Sequence, residues 1–253
     1  MAKIYTITSG KGGVGKTTTA VNLGAALNRF KEDVVIVDAN FTTPNLGLYL
    51  GAPLVPISLD HVLHGDADIE DAIYEHESGT KIVPSSLSLK DLKRINLKLM
   101  KNTSKKLKKI SNHILFDSSA GLGEEAKIAM SHADEIIIVT NPNILSVTDA
   151  LKAIKLAGEL KKQVKGVIIT RVKGTKTEMS IESIKGMLDV PVLGIVPEDK
   201  AIEESLVRKN AVIYTEPKSK AAKAYIDIAA KLLGKQKVPE SIFQRILSGL
   251  GLR

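Results

Sequence analysis

Between an apolar run at residues 4–7 and a helical pattern that starts near Lys16, the chain reads Ser9-Gly10-Lys11-Gly12-Gly13-Val14-Gly15-Lys16-Thr17-Thr18. An ammonium and a hydroxyl set directly behind a run of glycines suit the binding of a polyphosphate. Glycine leaves backbone N–H groups open to an anion and tolerates the positive φ that such a cradle needs. The helix opening at Lys16 would point its N-terminus at the same anion. Gly10, Gly15, Lys16 and Thr17 have the spacing of a phosphate loop. Lys16 is therefore expected to reach the outer phosphates of a nucleoside triphosphate, and Thr17 to hold Mg²⁺. Lys11, Gly12, Gly13, Val14 and Thr18 are expected to line the same site.

Two further strand ends carry matching chemistry. Residues 35–46 place Asp38 at the end of an apolar run, and residues 113–121 place Asp117 likewise. A carboxylate at a strand tip beside a phosphate loop can hold the hydration shell of Mg²⁺ or orient an attacking water. Thr17, Asp38 and Asp117 are thus the expected metal-side residues.

A plain phosphate loop places no demand on position 11, yet Lys-Gly-Gly-Val-Gly-Lys-Thr resembles the deviant Walker A loop of the MinD/ParA family of P-loop ATPases, closest to MinD. In that family the first lysine crosses a dimer interface to touch the partner's nucleotide. The resemblance implies binding of ATP and Mg²⁺, an ATP-dependent homodimer, and Lys11 and Lys16 as catalytic residues. It also draws attention to position 40. The family's segment reads approximately Asp-x-Asp, the first acid serving the metal and the second the attacking water, whereas this chain has Asp38 and Asn40. An amide accepts a hydrogen bond from water but cannot take its proton, so hydrolysis is expected to be slower by about 10²-fold. Residues 117–121 resemble the family's Asp-Ser-Pro-Ala-Gly switch, with Ser119 in place of proline. Arg171 and the stretch Pro197, Glu198, Asp199 resemble loops that contact the base. Arg171 would lie over adenine, and backbone groups near Pro197 and Asp199 would read its edge. Ordinary strand-to-helix turns, with Asp199 as an N-cap, explain the same residues.

The elements that must position these groups are legible in outline. Short β-branched runs at 4–7, 34–37, 82–83, 114–116, 136–139, 167–169 and 192–196 alternate with helical spacing at 17–28, 145–160, 180–188 and 202–208. Runs that are apolar at consecutive positions suit strands buried on both faces. The pattern predicts a doubly wound, mostly parallel α/β sheet with helices on both faces and its ligand at the carboxyl ends of the strands. A last helix over 218–233, capped at Gly234, closes a domain of residues 1–234. Residues 235–253 form a linker and an amphipathic C-terminal helix.

At 253 residues one such domain buries ample apolar surface. The absence of cysteine excludes disulfides, thiolate metal sites and iron–sulfur clusters, and with them the iron–sulfur-carrying relatives of the family. His61, His64 and His76 lack metal-site spacing and are expected in surface loops. Neither a leader nor an apolar run of ~18 residues is evident, so the expected location is cytoplasmic, peripheral to the inner face of the cell membrane.

Residues 81–109 carry ten basic residues and one acid, more than the whole chain's excess of +8. They could meet nucleic acid or an anionic membrane, or form the solvated face of a helix whose other side holds Leu92, Ile95, Leu99, Leu107 and Ile110. In the tail, Ile242, Phe243, Ile246, Leu247 and Leu250 fall on one helical face behind Pro239. Such a face can enter a bilayer boundary with Lys235, Lys237 and Arg245 near anionic headgroups, or pack on its own domain or on another protein. The expectation is a MinD-like ATPase whose nucleotide state controls membrane attachment, answering to a protein activator or effector. The alternatives are a ParA-like ATPase that partitions DNA, and a nucleotide-gated binding module that no longer hydrolyses.

Overall fold

The computed structural model describes residues 1–88 and 96–235. Its strands are β1 (Lys3–Thr8), β2 (Val34–Ala39), β3 (Tyr74–Glu75), β4 (Lys81–Val83), β5 (His113–Ser118), β6 (Glu135–Thr140), β7 (Gln163–Val172) and β8 (Val192–Pro197). They form one sheet in the order β3-β4-β2-β5-β1-β6-β7-β8, parallel throughout except for the β3–β4 pair. The predicted doubly wound, mostly parallel sheet is therefore what the chain forms.

Alternation of side chains across the pleat explains why these strands are apolar at consecutive positions. Tyr5 and Ile7, Val34 and Ile36, and Ile137 and Val139 belong to one core. Their neighbours Ile4, Val35, Val37, Ile136 and Ile138 belong to the other. On the first face lie α1 (Lys16–Arg29) and α2 (Leu46–Tyr49). On the second lie α3 (Leu59–His64), α4 (Met100–Ile110), α5 (Glu124–His132), α6 (Ile144–Glu159) and α7 (Ile181–Leu188). The first face is completed by α8 (Lys200–Val207), α9 (Val212–Thr215) and α10 (Lys220–Leu232).

Caps set the helix limits that periodicity leaves loose. Ser219 accepts the Ala222 N–H at 3.1 Å, so α10 starts at Lys220 rather than 218. Gly234 beyond its end has φ 68, as the expected C-cap requires. His61 and His64 do not lie in surface loops. Both are on α3, where the His61 ring accepts the Ser58 N–H at 3.1 Å in a capping box. Of the basic stretch, α4 buries Met100, Thr103, Ser104 and Leu107 and exposes Lys101, Lys105, Lys106 and Lys109. That is the solvated-face arrangement; Leu92 and Ile95 lie outside the described residues. So do residues 236–253, which carry the tail residues Ile242, Phe243, Ile246, Leu247 and Leu250. Among the described residues no helix is long and apolar enough to cross a membrane.

Candidate functional site

The loop at residues 9–15 leaves the carboxyl end of β1, which is flanked by β5 and β6. Gly13 and Gly15 have φ 75 and 95, which side chains rarely adopt. Gly10 serves a different purpose from the one its motif suggests. A Cβ on Gly10 would sit 2.1 Å from the Asp149 carbonyl oxygen, so its bare backbone lets the loop pack on α6. Gly10→Ala is accordingly expected to cost about 1–3 kcal/mol through overpacking. Gly12→Ala, whose Cβ would meet Ala120 at an ordinary 3.6 Å, is expected to stay within about 0.5 kcal/mol. Urea unfolding midpoints of the two variants check the contrast.

No side chain caps the start of α1, so the first-turn N–H groups at Lys16, Thr17 and Thr18 have no capping partner. Lys16 is buried, and its Nζ donates to Ser9 Oγ at 3.2 Å. Ser9 Oγ in turn donates to the Lys11 carbonyl at 2.6 Å. Burial lowers the Lys16 pKa and nearby Asp117 partly restores it. An ammonium held by one neutral hydroxyl in a poorly solvated place favours an arriving anion. The Lys11 side chain is exposed at the mouth of the loop.

Thr17 Oγ1 donates to Asp117 Oδ2 at 2.6 Å. The other oxygen, Asp117 Oδ1, is buried without a partner. Asp38 lies opposite Asp117 in the β2–β5 register, but its carboxylate is engaged differently. Its Oδ1 accepts the Asn40 N–H at 3.1 Å, and its Oδ2 accepts those of Asn45 and Leu46 at 3.0 Å each. Asp38 therefore ties down the loop at 40–46, and Asp117 is the acid with an oxygen to spare. Burial raises both pKa values, Asp38 further because Asp117 repels its charge, and Asp117 to about 6 although Thr17 and Lys16 oppose the rise.

A carboxyl with a raised native pKa keeps a proton that the unfolded chain has released, so its contribution to stability falls as pH rises from about 4 to about 6. Asp117→Asn keeps an oxygen for Thr17 and removes the titration. The ligand-free variant should thus melt higher than the parent at pH 7, by on the order of 1 kcal/mol or more, and no higher at pH 4. Thermal midpoints across that range test the sign.

Asn40 borders the opening, but its amide closes its own loop. Nδ2 donates to the Thr43 carbonyl, and Oδ1 accepts from Thr43 N at 3.4 Å and Thr43 Oγ1 at 3.2 Å. Thr42 Oγ1 donates to Glu125 Oε1 and joins this loop to the start of α5.

Two adjoining cavities open at the loop. One, of about 490 Å³, is bordered by Gly12, Gly13, Lys16, Thr17 and Asn40. The other, of about 180 Å³, is bordered by Val14, Pro197, Asp199 and Tyr225. Gly15, Thr18 and Arg171 border both. Arg171 stands at φ 56 at their junction. The Asp199 carboxylate is committed to helix starts, accepting the Ala201 N–H of α8 at 3.1 Å and the Ala221 N–H of α10 at 3.0 Å. It is the N-cap that the simpler reading of its turn expects, which leaves main-chain groups to meet a ligand there.

Sequence reasoning missed the residues that hold the loop from behind. Thr170 Oγ1 donates to the Val14 carbonyl at 2.7 Å, and Asn141 Nδ2 donates to Thr170 Oγ1 at 2.8 Å. The signal for Asn141 was its place in Asn141-Pro142-Asn143, directly after a strand. Tyr225, whose hydroxyl lies 3.3 Å from Thr19 Oγ1, gave no such signal.

A family model described as the CobQ/CobB/MinD/ParA nucleotide binding domain matches residues 5–212. An uncharacterised ATP-binding protein of Methanocaldococcus jannaschii is 38% identical over 99% of this chain and 97% of its own length. The septum site-determining protein MinD of Pyrococcus horikoshii, solved with Mg-ADP, superposes with a TM-score of 0.88 at 35% identity, covering 94% of this chain and 99% of that one. The cell division ATPase MinD of Pyrococcus furiosus gives 0.89 at 32% identity, covering 92% and 99%.

Proposed function

Because the chain belongs to the CobQ/CobB/MinD/ParA nucleotide-binding family, we propose that it is a MinD-like ATPase that binds ATP with Mg²⁺, dimerises on it and couples that state to peripheral membrane attachment. Asp117 carries the reading. Its unpartnered Oδ1 lies beside a hydroxyl, at the open start of a helix, below a buried lysine. A hard cation takes oxygen ligands of this type. Thr17 and Asp117 would hold Mg²⁺, which supplies neutralisation of charge on the outer phosphates. Lys16 would exchange Ser9 for a phosphate oxygen, and the N–H groups of residues 13–18 would orient the phosphates. Arg171 and the main chain near Pro197 and Asp199 would receive the base and sugar in the smaller cavity. Lys11, which is exposed, would meet a second copy across the nucleotide.

Titration of ATP with MgCl₂ into the purified chain should release binding heat, and Lys16→Ala should weaken the affinity by about 10²-fold, the loss of a charge-assisted contact in a desolvated site. No heat from the parent chain would overturn the reading. Hydrolysis is expected to be slow because Asn40 stands where a carboxylate would orient water.

A further inference from the structure

Behind the nucleotide opening, buried polar side chains from α1, α2 and α8 form a chain. Asn22 of α1 is buried, and its Oδ1 accepts the Val212 N–H of α9 at 2.8 Å. That bond fixes which way the amide faces. Nδ2 therefore donates, to the Thr18 carbonyl at 2.8 Å and to the Tyr49 hydroxyl oxygen at 3.4 Å. Tyr49 ends α2, the short helix whose start Asp38 holds through the Leu46 N–H. It is buried, yet it borders the larger cavity together with Thr18. Burial raises its phenol pKa, and side-chain hydrogen bonds with Ser205, Asn22 and Thr18 oppose the rise. Ser205 of α8 is also buried, and its own hydrogen goes to the Ile202 carbonyl at 2.7 Å.

The supply of hydrogens sets the direction of this chain. The Tyr49 oxygen accepts from Asn22, so the phenol has one hydrogen to give and two acceptors beside it, Ser205 Oγ and Thr18 Oγ1. With no anion present, Thr18 can donate to Tyr49, and Tyr49 to Ser205. An ionised phosphate only accepts, so Thr18 must turn its hydrogen outward to meet one, which leaves the Thr18 oxygen for the Tyr49 hydrogen. A hydroxyl that accepts one hydrogen bond donates a stronger second one. Thr18 borders both cavities, where the phosphate nearest the sugar would lie. We infer that Tyr49 is a positioning residue for the nucleotide: held from behind by Asn22, its hydroxyl turns to Thr18 and aims the Thr18 hydroxyl at that phosphate. The role rests on the ATP reading above and deepens it. It also accounts for the place of α2, whose start is held by Asp38 and whose end meets Thr18.

Calorimetric titration of ADP with MgCl₂ into the full chain tests the inference. Thr18→Val should weaken ADP binding by about 10-fold, the loss of a hydrogen bond to a charged group, and Tyr49→Phe by about 5-fold. Because both act through one hydroxyl, the double variant Tyr49→Phe/Thr18→Val should lose about 10-fold rather than the product of about 50-fold. Ser205→Ala removes the competing acceptor and should tighten ADP by about 2-fold, opposite in sign to damage to the packing. Losses that multiply, a Tyr49→Phe chain that binds ADP as the parent does, or a Ser205→Ala chain that binds it more weakly would each overturn the inference while the ATP reading stands. No heat from the parent chain would overturn both.

Discussion

Asn40→Asp is expected to raise steady-state phosphate release by about 10²-fold and to lower the thermal midpoint of the ligand-free chain. Two effects of one atom change are opposed here. A carboxylate can accept a hydrogen bond from an attacking water with a full charge behind it, which the amide lacks. The same carboxylate cannot donate to the Thr43 carbonyl, as Asn40 Nδ2 does. It would also add a third acid beside Asp38 and Asp117, which already repel each other. Breaking the Asn40–Thr43 link costs about 0.5–1.5 kcal/mol, since Thr43 is exposed and its carbonyl keeps Asn45 Nδ2 as a donor at 2.8 Å. The substitution should therefore separate the two readouts, with turnover rising while stability falls. The expectation fails if phosphate release is no faster than from the parent chain at saturating ATP.

How much of the site could be read beforehand follows from how it is built. The phosphate loop is one contiguous string whose chemistry needs neighbouring residues, so Gly13, Gly15, Lys16 and Thr17 could be assigned from spacing. Asp117 was singled out as an acid ending an apolar strand, and the structure brings its carboxylate onto Thr17 Oγ1. Asp38 carried the same signal, and its location was correct. Its three backbone donors come from a loop that folds back onto it, which a strand-end pattern does not encode. Thr170 and Asn141 are ordinary polar residues until β6 and β7 bring them behind Val14. Gly10 shows how a motif can be right for an incomplete reason: the pattern demands glycine, and the reason visible here is the approach of Asp149 on a helix more than 130 residues along the chain. At the level of the fold, long periodic helices such as α1 and α6 were legible. The helices α2 and α9 have four residues each, too few for one face to repeat.

Removal of the chain from Val238 onward is expected to abolish ATP-dependent flotation with anionic vesicles while leaving ATP affinity unchanged. On the proposed reading one tail would insert five apolar side chains only in part, each contributing less than the ~1.5–3 kcal/mol of full burial. Against this stands the ordering of about a dozen residues at ~1–2 kcal/mol each for the backbone. A single copy should therefore bind weakly. Two copies held by nucleotide make the second insertion intramolecular, which can raise avidity about 10²-fold or more. Lys11→Ala distinguishes the steps. Lys11 is exposed rather than buried in its own loop, so a monomer lacking it should keep ATP binding. If Lys11 bridges two copies, the variant should sediment as a monomer with ATP and lose flotation to nearly the same extent as the truncated chain. Flotation of the truncated and full-length chains to equal extents would show that the tail is not the anchor. Flotation by a monomeric Lys11→Ala chain would show that pairing of tails is not required.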